Sequence, residues 1–176
     1  DDSILELTKA RLPWLVLALF GGFISVHVLG IFEPVMDLHP ELFFFTPLIA
    51  AMAGNVGVQS SAIIVQGLAN NTIIGPVVER LLKELSLSLL NGIILSAILL
   101  LGSYFLLGYE IHVGYTVSIA LLSVIIMASL IGTFIPIILN KYGVDPALAT
   151  GPFITTSNDI LGILTYFTIA KIILGI

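Results

Sequence analysis

The chain has 176 residues, 58% hydrophobic and 10% charged, with a formal net charge of −5 and no cysteine. Soluble domains carry about 25% charged residues, so this composition excludes an ordinary soluble domain and indicates a polytopic membrane protein. The missing cysteines exclude a disulfide framework, a thiolate metal site and a cysteine nucleophile, and no basic tract supports nucleic-acid binding.

Residues 1–12 place Ile4, Leu5, Leu7 and Leu12 among Asp1, Asp2, Glu6, Lys9 and Arg11. This is helical spacing with a charged face, and it predicts the end of a linker helix or a helix on the membrane surface. The start at Asp1, without methionine or a signal-peptide pattern, reads as part of a longer protein. Residues 13–176 then carry five apolar segments, at about 13–32, 44–68, 85–109, 113–140 and 146–171. Each reaches the roughly 20 helical residues that a bilayer core requires. The expected fold is all-α and polytopic, with five transmembrane helices.

Pro13 suits a first helical turn and Trp14 a membrane interface. The aromatic run before Thr46 reads as an interfacial piece preceding a helix that starts near Thr46–Pro47. Pro136 predicts a kink late in the fourth span.

Loop charges give the expected orientation. Lys9 and Arg11 precede the first span, Arg80 and Lys83 lie between the second and third, and Lys141 lies between the fourth and fifth. The opposite loops hold Glu33, Asp37, His39 and Glu41, then Glu110 and His112, with neither Lys nor Arg. Only Lys171, at the end of the last span, breaks the pattern. The positive-inside rule then predicts a cytoplasmic N-terminus and an external C-terminus. Glu33 and Asp37 stand at the extracellular mouth, where acids without basic partners concentrate cations.

Small residues mark where membrane helices approach closely. They are densest in the second span, at Ala50, Ala51, Ala53, Gly54, Gly57, Ser60 and Ser61. That density predicts the second span as a neighbour of the last.

Asp159 is the one acid inside an apolar segment. An ionised carboxylate at the bilayer centre costs roughly 2.5–3.5 kcal/mol on insertion scales, so it should face protein, water or a cation. Gly151, Thr155 and Asp159 recur at four-residue spacing on one helix face, among Thr156, Ser157 and Asn158. In the second span, Asn55, Gln59 and Gln66 form a similar stripe beside Gly54. Two such helices would line a narrow wet passage. Asp159 lies thirteen residues past Pro146, which at about 1.5 Å per residue places it near mid-membrane. The competing reading is a structural aspartate hydrogen-bonded across helices. It is weakened because no Lys or Arg short of Lys171 lies within a span to neutralise the charge.

One carboxylate per chain matches a divalent ion poorly, whereas two chains about a two-fold axis would supply two. The donors offered are all oxygen, which suits Mg²⁺ or Ca²⁺ and not a soft metal. Mg²⁺ releases water reluctantly, so such a site would hold it with several waters attached.

At these residues the chain resembles the MgtE family of magnesium channels and transporters. The resemblance rests on Pro47 with GNVGVQS at 54–60, GTFIP at 132–136, and DPA at 145–147 followed by TGPFITTSND at 150–159. It implies a homodimer, multi-pass in the lipid of the cell (inner) membrane, whose second and fifth helices line a pore at the two-fold axis. It implies that Asp159 binds a largely hydrated Mg²⁺, which is both transported ion and pore ligand, with no organic cofactor. Asn55, Gln59, Gly151 and Thr155 match pore-lining positions, with Gly54 and Asn158 beside them. The resemblance also implies upstream cytosolic N and CBS domains, absent from this chain, joined through the helix that residues 1–12 would end.

Two other classes of function compete. A secondary transporter would exchange Mg²⁺ against H⁺ or Na⁺, with Asp159 titrating and His27 shuttling a proton. An intramembrane aspartyl protease needs two carboxylates sharing a proton, and only one Asp lies within a span. No HExxH metalloprotease motif occurs. The expected function is therefore Mg²⁺ permeation, without enzymatic activity.

Overall fold

The computed structural model describes residues 3–71, 76–144 and 146–176, and the side chains of 146–150 fall outside that description. Asp1, Asp2 and the Asp145 that opens the DPA motif therefore lie outside the described residues. The elements are α1 (Ile4–Ile31), α2 (Glu33–Leu38), α3 (Glu41–Ala69), α4 (Val77–Phe105), α5 (Ile111–Lys141) and α6 (Pro146–Leu174). All but α2 contain a stretch long and apolar enough to cross a membrane. The all-α, five-span architecture follows directly from the apolar pattern.

The helix ends differ from the hydropathy reading, for a physical reason. A helix of 29 residues such as α4 extends about 43 Å, beyond a hydrocarbon core of about 30 Å. Its ends can therefore carry charge while remaining helical. Thus α4 begins at Val77 and takes in Glu79, Arg80, Lys83 and Glu84, well before the expected start at residue 85. Likewise α1 starts at Ile4, and the anticipated surface helix and first span form one uninterrupted helix. A capping box fixes this start: the Glu6 amide donates to Ser3 Oγ at 3.3 Å, and the Ser3 amide donates to Glu6 Oε2 at 3.0 Å.

The prolines do not mark the boundaries expected of them. Pro13 lies inside α1 and Pro47 inside α3, whose helix already runs through the aromatic run from Glu41. Membrane helices tolerate proline because neighbouring helices and side chains satisfy the freed backbone groups. Pro136, read as a kink and not as a boundary, lies inside α5, which continues to Lys141.

Burial explains the arrangement. In α3 the buried residues Leu42, Phe45, Ile49, Ala53, Gly57, Ser60 and Ile64 recur every three or four positions, forming one stripe. In α5 they include Val117, Ala120, Leu121, Val124, Ile125 and Ala128, which wrap around the helix. A helix apolar on all sides belongs in the centre, and α3, α4 and α6 pack around α5 while α1 packs against α6. At one end of the bundle Phe32 stacks on Phe167 with centroids 5.3 Å apart, and buried Tyr166 donates its hydroxyl to the Leu42 carbonyl at 2.8 Å.

At Gly57 and Gly132, α3 and α5 approach backbone to backbone. A Cβ added to Gly132 would lie 2.5 Å from the Gly57 carbonyl oxygen and 3.0 Å from its Cα. The dense small-residue face of α3 thus serves two neighbours, α5 and, as expected, α6.

Candidate ion-conducting site

Two contacts orient α6. On one side Asn158 is fully buried against α3, where its Nδ2 donates to the Ala53 carbonyl at 3.1 Å. Gly57 makes room for this amide, since any side chain there would overlap it. On another side Thr156 packs into the space left by Gly21 of α1. Asp159 is held between these contacts and remains half-buried. One turn earlier, Thr155 is exposed and donates its hydroxyl to the Gly151 carbonyl at 3.0 Å. That bond uses the hydroxyl proton within the helix and leaves oxygen lone pairs facing outward. Gly151 is exposed, with nothing within 4 Å of where a side chain would begin.

Among the described residues Asp159 makes no hydrogen bond and no ion pair. A structural aspartate tied across helices would show such a partner. Among the same residues, no three His, Cys, Asp or Glu side chains gather to hold a metal ion. One chain therefore offers a single carboxylate at this level, with hydroxyl and backbone oxygens beside it.

The other expected lining residues divide. Gly54 has open space at its missing side chain. Asn55 and Gln59 line a crevice between α3 and α4, and Asp159, Thr155 and Gly151 are not among the residues around it. The two polar stripes expected to line one passage are therefore not brought together within a single chain. Asn158, expected beside the passage, is enclosed between α3 and α6 instead. It precedes Asp159 by one residue, about 100° of helix rotation, enough to turn one side chain inward and leave the other outward.

Glu33 and Asp37 are exposed on α2. The acids further along that end do have partners: His39 Nδ1 meets Glu41 Oε1 at 2.9 Å, and His112 Nδ1 meets Glu110 Oε2 at 3.1 Å. Sequence reasoning counted these acids as unpartnered because it set histidine aside. His27 is exposed on α1.

Sequence reasoning also missed Glu84. Placing the third span at residue 85 left it outside by one position, although Glu84, Ser88 and Asn91 recur at helical spacing. In the structure Glu84 lines the α3–α4 crevice and accepts a hydrogen bond from Ser60 Oγ at 2.5 Å.

Comparison with known proteins adds to this geometry. The family model MgtE, described as a divalent cation transporter, matches residues 46–169. Three curated relatives each carry the name magnesium transporter MgtE. The Bacillus subtilis protein is 40% identical over 97% of this chain and 38% of its own length. The Thermus thermophilus protein is 33% identical over 96% of the chain and 37% of its own length. The Enterococcus faecalis protein is 34% identical over 97% of the chain and 38% of its own length. The chain thus spans less than two fifths of the relatives it matches.

Proposed function

Because the chain belongs to the MgtE family of divalent cation transporters, we propose that it conducts Mg²⁺ across the membrane through a pore formed by two copies. The observation that carries this reading is Asp159: midway along α6, half-buried, and without a protein partner among the described residues. A two-fold axis beside α6 brings two such carboxylates together and balances a 2+ charge. The donors are oxygen, so the site selects a hard cation, and the ion keeps several of its waters. Thr155 and Gly151 extend the lining by two turns, and Gly54 of α3 contributes an open edge. The N-terminus is cytoplasmic and the α2 end forms the outer mouth. No organic cofactor enters this reading, and nothing in it calls for enzymatic chemistry.

Liposome flux tests it. The reconstituted protein is expected to pass Mg²⁺ down its own gradient, with no imposed H⁺ or Na⁺ gradient. Flux that appears only when such a gradient is applied would replace the pore by a coupled transporter.

Thr155→Leu adds apolar volume to the lining and removes its oxygen, so Mg²⁺ conductance is expected to fall severely while the protein stays folded. Unchanged conductance would move Thr155 off the path. Neutralising Glu33 and Asp37 together should slow uptake at low ionic strength and lose its effect near 0.1 M salt, where screening acts within about 10 Å. A loss that persists at high salt would mean direct ligation and not steering.

A further inference from the structure

We propose that the crevice between α3 and α4 is a second cation site, centred on Glu84 and separate from Asp159, that holds hydrated Mg²⁺. The crevice encloses about 500 Å³ over a floor contributed by α5. Glu84, Ser88 and Asn91 face it from α4, and Asn55, Gln59 and Ser60 face it from α3. The Glu84 carboxylate is the one formal charge in this lining. It accepts a short hydrogen bond from Ser60 and forms no ion pair among the described residues, even though Arg80 lies one turn away on the same helix.

Glu84 is the innermost of the charged residues at this end of α4, and it is half-buried. Glu84 lies seven residues past the first residue of α4 and Asn91 fourteen, so the crevice runs from about 10 Å to about 21 Å along the helix. A half-buried carboxylate with no cationic side chain paired to it among the described residues favours water or a cation beside it. Half of the lining is apolar, and the other half carries three amides, three hydroxyls and the acid, groups that an acyl chain would leave unpaired.

The donors define the ligand. The Ser60 hydroxyl proton goes to Glu84, the Ser88 proton to the Leu85 carbonyl at 3.0 Å, and the Ser129 proton to the Ile126 carbonyl at 3.1 Å. What the three hydroxyls present to the crevice is oxygen lone pairs. With the amide oxygens and the carboxylate, the whole set is hard oxygen, the donor type of Mg²⁺ and not of a soft metal. Six waters at about 30 Å³ each occupy about 180 Å³, so the crevice admits a hydrated ion without stripping it. A single carboxylate holds such an ion weakly, in the millimolar range on the order of the weakest oxygen-ligand sites.

The site does not rest on Asp159, and its test is run without that carboxylate. The protein is placed in lipid nanodiscs as Asp159→Asn and as Asp159→Asn with Glu84→Gln. Mg²⁺ bound per chain is measured by equilibrium dialysis, and carboxylate stretching bands are followed by infrared difference spectroscopy on Mg²⁺ addition. The single variant is expected to keep one weak Mg²⁺ and a carboxylate band shift. Adding Glu84→Gln should erase the shift and weaken the remaining binding by about tenfold or more. If Glu84→Gln fails to fold, Asn91→Leu in the same background decides. It fills the crevice while leaving Glu84 in place, and loss of the shift supports the site. Binding and band shift unchanged by either substitution would overturn the proposal, as would a single Asp159→Asn variant that binds no Mg²⁺.

Discussion

Asp159→Asn is expected to reduce Mg²⁺ flux to background while leaving the protein folded and its oligomeric state unchanged. The amide has nearly the shape of the carboxylate and keeps an acceptor oxygen, so only charge is removed. That charge matters because a dication about 5 Å away, with water between, gains about 2 kcal/mol from it in bulk water and about 7 kcal/mol at an effective dielectric of 20. In the proposed two-fold pore the loss doubles, since both copies would change together. No protein partner of Asp159 is left stranded by the substitution, because none is hydrogen-bonded to it among the described residues. A purely structural explanation would require a fall in thermal stability, which nothing in this geometry provides. Flux assays with thermal melts on the same preparation separate the two. Wild-type flux in Asp159→Asn would end the pore reading.

Gly132→Ala is expected to be the most damaging small change in the bundle. The new methyl would lie 2.5 Å from the Gly57 oxygen and 3.0 Å from its Cα, and backbone atoms cannot rotate away as a side chain can. The helices α3 and α5 must therefore separate. Overpacking of this kind costs about 1–3 kcal/mol. For a chain of this length that lowers the melting temperature by about 2–10 °C. Displacement of α3 also stretches the Asn158 bond to Ala53, so the cost should fall towards the upper end. Gly54→Ala is the control, since nothing lies within 4 Å of its added carbon, and it should melt as the wild type does. Equal melting of Gly132→Ala and wild type would show that the two helices are not in backbone contact.

The spans were legible in the sequence because about twenty apolar residues have few alternatives to a membrane helix. Their ends were not. Hydropathy falls where charge begins, whereas the helix of α4 continues outward through Lys83, Arg80 and Glu79. Proline misled the reading at Pro47, since soluble-protein experience makes it a helix start and a membrane bundle accepts it inside. The pairing of α3 with α6 was legible from small residues, because close packing requires them wherever it occurs. The direction of adjacent polar side chains was less so: Asn158 and Asp159 are neighbours in sequence, yet one ties α6 to α3 while the other stays half-exposed. The α3–α4 crevice could not be read at all. It exists because both helices lean on α5 without closing on each other, and no local pattern encodes a gap.

The placement of α1 carries a mechanical consequence. It touches chiefly α6, and Gly21 seats Thr156 there, three residues before Asp159. From the Ser3 end one continuous helix, with Pro13 inside it, leads to this contact. A displacement entering by α1 would therefore meet α6 beside the acid before it meets the central helix.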